Sequence, residues 1–236
     1  MSSVDDARAE RRPPALVVVP KPGGGVRRLA ILAPADDAAY RRAVARLSEM
    51  LERVLGPEVA ANRVAPGPGL RLRPWRAERR AFAGARLALL GGAAVVVKAD
   101  VRECYPSIRP EAVDRALIGL GAWSSDVVAI RRILERFGGE GILGLPIGPD
   151  PSAVLANAVL ARADHAVRAA GSRHVRWVDD VWAVARNERH AGELLDRLRE
   201  TLAVIGLSLN DAKTRVLDRA EVRASLRRSG VLGAYR

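Results

Sequence analysis

Three aspartates are the residues best suited to chemistry. Asp179 and Asp180 are adjacent within Arg176-Trp177-Val178-Asp179-Asp180-Val181-Trp182-Ala183-Val184. Asp100 stands 79 residues earlier, directly after the apolar run Ala93-Ala94-Val95-Val96-Val97-Lys98-Ala99. A carboxylate at the end of a buried strand is costly unless it is paired or bound to a cation. The flanks of the Asp-Asp pair alternate as strands do, which makes the pair the tip of a hairpin. Such a tip is either an ordinary surface turn, since Asp is a common turn residue, or a divalent-metal site built from hard carboxylate oxygens. Pairing the Asp100 strand antiparallel to the hairpin brings all three acids to one sheet. Two Mg²⁺ ions about 3.5–4 Å apart, bridged by carboxylates, serve in-line displacement at phosphorus.

The bulk composition agrees with a polyanionic partner. The 236 residues carry a formal net charge of +12 with a pI of about 11.1, which favours nucleic acid. Residues 1–95 hold +8 of this and residues 96–236 hold +4, so the first part faces phosphates more strongly. Nearly all the basic residues are arginine; the lysines are Lys21, Lys98 and Lys213. Only a lysine among these can release a proton. The single cysteine, Cys104, excludes an internal disulfide and a cysteine metal cluster and suits a reducing cytoplasm. No run is long enough for a transmembrane helix and no signal-peptide core is present, so no membrane partner is expected. The chain is 49% apolar but only 4% aromatic, so Ala, Val, Leu and Ile must fill its core.

The elements that position the acids follow from periodicity and breakers. Residues 1–14 are polar and read as a disordered tail. Ala15–Val19 and Val26–Leu32 form a hairpin around a Gly-rich turn, carrying Lys21, Arg27 and Arg28. Asp36 or Asp37 caps a helix that continues to Leu55. Residues 62–76 are a loop in which Arg71, Arg73 and Arg76 interleave with Trp75, a composition that grips a backbone and stacks on a base. Helices follow at about 76–90, 110–120 and 124–137, and a long one after Pro149. Another spans about 188–205. Short strands at 207–210 and 214–217 flank Lys213, and the basic C-terminal segment reads as helix.

In this order the motifs resemble the reverse transcriptase family, most closely its bacterial branches of group II intron, retron and phage-defence type. "PKPGGGVRRLAI" and "DAAYRRAV" are similar to the fingers motifs, and "KADVRECYPSI" to the motif with the first metal acid. "GLPIGPDPSAVLAN" is similar to the Gly-Pro-rich motif before the palm helix, "RWVDDVWAV" to Tyr-x-Asp-Asp, and "GLSLNDAKT" to the lysine motif. The resemblance implies an α+β fold, with an antiparallel palm sheet backed by helices and the thumb absent or minimal. Fingers would occupy 15–92, palm 93–217, and a remnant of the thumb connection 218–236. It implies Mg²⁺, two ions with Mn²⁺ as substitute, held by Asp100, Asp179, Asp180 and the Val101 carbonyl. Lys21 and Arg27 would neutralise the triphosphate. Tyr105 would block a ribose 2′-OH, and Ile147 and Gly148 would line the nucleotide. Asn157, Trp177, Arg71 and Arg73 would face primer and template. Lys213 would protonate the leaving pyrophosphate, a task for a titratable group.

Three departures bear on function. Trp177 replaces the usual Tyr, Ile147 the usual Gln of the Gly-Pro motif, and Arg41 a frequent Gln. They fit a divergent, defence-associated bacterial branch. The expected activity is RNA-directed DNA synthesis from dNTPs on a DNA or RNA primer. The alternatives are untemplated, terminal-transferase-like synthesis on the same site, or an RNA- or DNA-binding protein that no longer catalyses. About twenty residues cannot form a helical thumb, so a structured RNA, a protein partner or an oligomer would supply the grip, or processivity would be low.

Overall fold

Strand β3 (Val95–Asp100) organises the structure, a computed structural model that describes residues 12–21, 24–90 and 93–228. It pairs antiparallel with β5 (Asp180–Ala185) on one side and β6 (Arg215–Asp218) on the other, and β4 (His174–Trp177) completes the sheet beyond β5. The pleat sorts the side chains by parity. Val97, Ala99, Val181, Ala183 and Ala185 enter the main core with α7 (Asp150–Ala169) and α8 (Glu188–Val204). Val96, Val175 and Trp182 enter a second cluster with Phe82 and Leu89 of α3 (Trp75–Leu90) and Val222 of α9 (Arg219–Arg228). The sheet is therefore covered on both faces, each apolar face buried against helices.

Helix α7 is buried almost all round, with every residue from Pro151 to Leu160 out of solvent. Its small residues let neighbours approach closely, which suits a core poor in aromatics. Around it stand α1 (Pro34–Ala45), α2 (Ser48–Arg53), α5 (Pro110–Gly119) and α6 (Ser124–Gly139). Polar ties fix α1 to its start: Tyr40 Oη lies 3.2 Å from Ser152 Oγ, and Arg41 bridges Asp37 and Asp150 at 2.7 and 2.8 Å. Tyr40 also meets Phe137 of α6 edge-on at 5.7 Å.

The sequence reading needs three corrections. The helix expected to run unbroken from Asp36 or Asp37 divides at Arg46–Leu47 into α1 and α2, because Leu47 N–H turns back to Val44 O and Ser48 Oγ takes Ala45 O at 2.8 Å. Pro34 fills the first turn, so Asp36 and Asp37 sit inside it and neither caps it. The stretch 207–210 forms only a bridge, Val101 to Leu209, and no full strand. A short helix, α4 (Cys104–Ser107), was not foreseen. The expected tail falls largely on residues 1–11, which lie outside the described residues, as do Pro22, Gly23, Gly91, Gly92 and 229–236.

The outer hairpin, β1 (Ala15–Pro20) and β2 (Val26–Ile31), forms as expected and sets Val19 opposite Arg27. It docks through Ala30 N–H, which donates to Ile147 O at 2.8 Å. The 144–149 segment thus clamps the hairpin on one side and α4 on the other, where Leu145 N–H donates to Tyr105 O at 2.9 Å. Gly144 makes that approach possible: a Cβ there would lie 2.6 Å from the Tyr105 carbonyl oxygen and also overlap the Pro106 carbonyl. Gly144→Ala must push main chain against main chain. It is expected to destabilise the protein by about 2–3 kcal/mol, read as a lowered urea midpoint at unchanged slope.

Candidate active site

The acids meet where β3 ends. Asp100 is the Cα partner of Asp180, and Val101 N–H donates to Asp179 O at 3.2 Å. Asp179 occupies the turn between β4 and β5, preceded by Val178 at φ 56°. A β-branched residue in the left-handed region is strained, at a cost on the order of 1–3 kcal/mol. Lys213 Nζ stands 3.3 and 3.4 Å from the two carboxylate oxygens of Asp100. Asn210 donates twice to Asp100, from its backbone N–H to the carbonyl at 2.7 Å and from Nδ2 to Oδ1 at 3.1 Å. The lysine motif is thereby tied to the first acid.

Electrostatics separate the two adjacent aspartates. Burial, then the charge of Asp100, push the Asp179 carboxyl up to about 6, with Asp180 adding and Lys213 opposing. Asp180 is raised by burial too, against the pull of Trp182, Lys98 and Arg86. Its Oδ2 accepts from Trp182 Nε1 at 3.0 Å, while Oδ1 is buried without a protein hydrogen-bond partner. All three carboxylates act on one another, Asp100 and Asp180 on Asp179 and Asp100 on Asp180. Among the described residues, no three His, Cys, Asp or Glu side chains are gathered for a metal ion. Asp100 and Asp180 are register partners at the sheet end, but Trp182 draws one carboxylate oxygen of Asp180 aside, while Asp179 lies in the turn that follows β4. The donor chemistry still fits a hard divalent cation. Asp100 and Asp179 are two like-charged carboxylates whose repulsion a cation relieves, and Asp180 Oδ1 is a further buried carboxylate oxygen without a protein hydrogen-bond partner.

The remaining expected residues divide. Tyr105 lies half-buried on α4; burial raises its hydroxyl above the usual range, so it stays neutral, and Arg27 is near enough to oppose that shift. Lys21 and Arg27 are exposed on the hairpin. Ile147 contributes its carbonyl to Ala30, and Gly148 takes φ 126° with the Ala30 carbonyl close against it. Arg71 is exposed; Arg73 pairs with Glu52 at 2.7 Å, and Trp75 beside them is 65% exposed. Trp177 is half-buried against Phe82 at 5.4 Å, with Arg79 over its ring at 5.0 Å.

Asn157 is a further correction. It is buried, its Nδ2 donating to Ala61 O at 2.8 Å and its Oδ1 accepting from Arg176, so it has no face for nucleic acid. Four residues near the site escaped the sequence reading as such: Asn62, Cys104, Arg176 and Asn210. Asn210 alone carried a usable signal, three residues before Lys213 in the quoted lysine motif.

The raised Asp179 carboxyl yields a pH prediction. Its folded value lies above the unfolded one, so the stability it contributes is complete below about pH 4 and is lost as pH rises through 6. Metal-free protein should therefore lose roughly 2–3 kcal/mol across that window, and Asp179→Asn should abolish the step. At pH 7 without divalent cation the variant should melt a few degrees higher than wild type. Adding Mg²⁺ should raise the wild-type midpoint and leave that of the variant in place. Thermal melts at a series of pH values, with and without Mg²⁺, read all three outcomes.

Comparison with known proteins agrees with this geometry. The model of the family described as reverse transcriptase (RNA-dependent DNA polymerase) matches residues 19–224. Telomerase from Candida albicans, solved with a TWJ fragment of telomeric RNA, has a similar fold: TM-score 0.59 at 13% identity, over 88% of this chain and 42% of that one. Candida tropicalis telomerase with the same type of RNA fragment gives 0.57 at 13%, over 87% and 41%. The chain thus spans less than half the length of these telomerase chains, and no curated protein sequence matches it. A motif order, a sheet register and a family match over residues 19–224 coincide, and the chain belongs to the reverse transcriptase family.

Proposed function

We propose that this chain is an RNA-directed DNA polymerase that extends a DNA or RNA primer with dNTPs. The observation that carries the reading is the meeting of Asp100 and Asp179 at one sheet end, beside Lys213, in a chain of this family. In the reading, Asp100, Asp179 and the Val101 carbonyl hold the divalent cations, Mg²⁺ or Mn²⁺, with Asp180 reinforcing the charge from the adjoining face. When bound, the cations acidify the primer 3′-hydroxyl and neutralise the triphosphate.

The rest of the work falls to the chain's own groups. Lys21 and Arg27 draw the triphosphate toward the hairpin, with Ile147 and Gly148 lining the nucleotide. Tyr105, kept neutral by burial, closes the sugar side against a 2′-hydroxyl. Lys213 moves from the Asp100 carboxylate to give its proton to the leaving pyrophosphate. Arg71 and Arg73 take phosphates of the nucleic acid, and Trp177 supports the primer end from behind. Functionally we divide the chain into fingers over 15–92, palm over 93–217 and a basic C-terminal segment over 218–236. Trp177, Ile147 and Arg41 favour a bacterial, anti-phage branch working in the cytoplasm. No described helix is long and apolar enough to cross a membrane.

The test is primer extension. An RNA template with an annealed DNA primer should be copied in Mg²⁺, and the unpaired primer should not be extended. Untemplated tails would replace this reading with terminal-transferase activity. Binding without incorporation would leave only a nucleic-acid-binding protein. Asp100→Asn should lower incorporation by at least about 10³-fold while the melting curve stays cooperative. Tyr105→Ala should reduce the preference for dNTP over rNTP by about 10–100-fold, measured as the ratio of kcat/KM values.

A further inference from the structure

Arg176 is the largest fully buried side chain in the structure. Its Nε and Nη2 grip Asp164 of α7 at 2.8 and 2.7 Å, and its Nη1 donates to Asn157 Oδ1 at 2.9 Å. His174 Nε2 adds a contact to Asp164 at 3.1 Å. Burial alone would raise the Asp164 carboxyl, but Arg176 and His174 together hold it well below the ordinary range. The main chain is equally fixed: Arg176 N–H donates to Glu58 O at 2.8 Å, and Ala60 N–H donates to Arg176 O at 3.0 Å. One contact points forward out of this seat. Nη1 donates to the carbonyl of Val178 at 2.8 Å, the peptide that leads into Asp179.

We propose that Arg176 is a positioning residue for Asp179: from a seat fixed by Asp164 and Asn157 it holds the Val178 carbonyl, and so keeps the turn in the left-handed conformation that carries Asp179 alongside Asp100. The need for such a hold is local. Valine resists φ 56°, and the Asp179 carboxylate is repelled by Asp100, so both strain and charge press the turn to relax. Guanidinium is the group for the task, because its planar fork makes several directed bonds at once while an ammonium acts as a point charge. The bracket extends further. Asn157 Nδ2 holds Ala61 O and Asn62 O, and the Asn62 side chain reaches Tyr105 Oη at 3.5 Å. The seat that steadies the acid turn therefore also backs the sugar side of the site. The effect on nucleotide incorporation rests on the polymerase reading above; the hold on the turn does not.

The test reads the turn directly. The Val101 amide donates to Asp179 O, so its hydrogen exchange reports whether the turn stays in place. Arg176→Lys should speed exchange at Val101 by about tenfold more than at the amides of α8, which serve as the measure of global stability. Adding Val178→Gly, which removes the cost of positive φ, should bring Val101 back to within about threefold of wild type. Mn²⁺ affinity, followed by electron paramagnetic resonance, should fall about tenfold in Arg176→Lys and recover in the double variant. If Arg176→Lys does not fold, Asn157→Ala keeps the Asp164 fork intact and should loosen Val101 selectively. The inference is overturned if Val101 and α8 exchange change in parallel, or if Val178→Gly adds to the damage. Wild-type protein that incorporates no nucleotide sinks the polymerase reading instead and leaves the exchange result standing.

Discussion

Two carboxylates held side by side at the end of a buried strand repel each other, and most of the structure around them can be understood as what prevents their separation. The β3–β5 register sets Asp100 beside the turn, and Val101 N–H locks the turn's main chain to the end of β3. The unfavourable charge is visible in Asp179, pushed up to about 6 by burial and by Asp100. Lys213 and Asn210 compensate Asp100 but leave Asp179 exposed to the repulsion. A site so arranged has a standing affinity for positive charge, which is what a nucleotidyl-transfer centre requires of its protein part.

Rigidity behind the acids comes from α7. Its buried length offers small apolar residues to the helices around it and polar ones at selected points. Ser152 and Asp150 fasten α1, Asn157 fastens the 61–62 loop, and Asp164 fastens β4. Each of these is a buried or half-buried hydrogen bond that would be costly to leave unmade, and the first three join segments about a hundred residues apart. Elements from the first and second halves of the chain are thus registered against one helix. The 144–149 segment extends the same logic outward, joining the hairpin and Tyr105 through two backbone bonds.

Much of this was legible in the residues. Apolar alternation located β3 and β5, and the cost of an acid after Ala99 singled out Asp100. Glycine and proline punctuation marked the hairpin and the start of α7. Part of what escaped was decided by a local competition and part by contacts distant in sequence. The break at Arg46–Leu47 depends on a serine hydroxyl competing for a helix carbonyl, which a periodicity count does not weigh. Asn157 looked available to a nucleic acid because its partners, Ala61 and Arg176, lie 96 and 19 residues away. Arg176 looked like one more basic residue in an arginine-rich chain, and only its burial between Asp164 and Asn157 distinguishes it. The contact of Asp180 with Trp182 is local by comparison: the two lie two residues apart on one face of β5.

Asp179 and Asp180 are adjacent yet meet different environments, because one lies in the turn after β4 and the other opens β5. Asp180 faces the α3 side, where Trp182 donates to it and Arg86 and Lys98 answer its charge. Arg86 lies 4.1 Å over the Trp182 ring, and burial lowers its proton affinity, so the layer is a desolvated stack of cation, indole and carboxylate. Asp179 has no such cationic layer and depends on the distant pull of Lys213. Of the two, Asp179 has more to gain from a cation and a lower barrier to orienting toward one, because its carboxylate is not held by an indole N–H. The fold thus gives one residue type two surroundings: a turn beside Asp100 for Asp179, and an indole with two cations for Asp180.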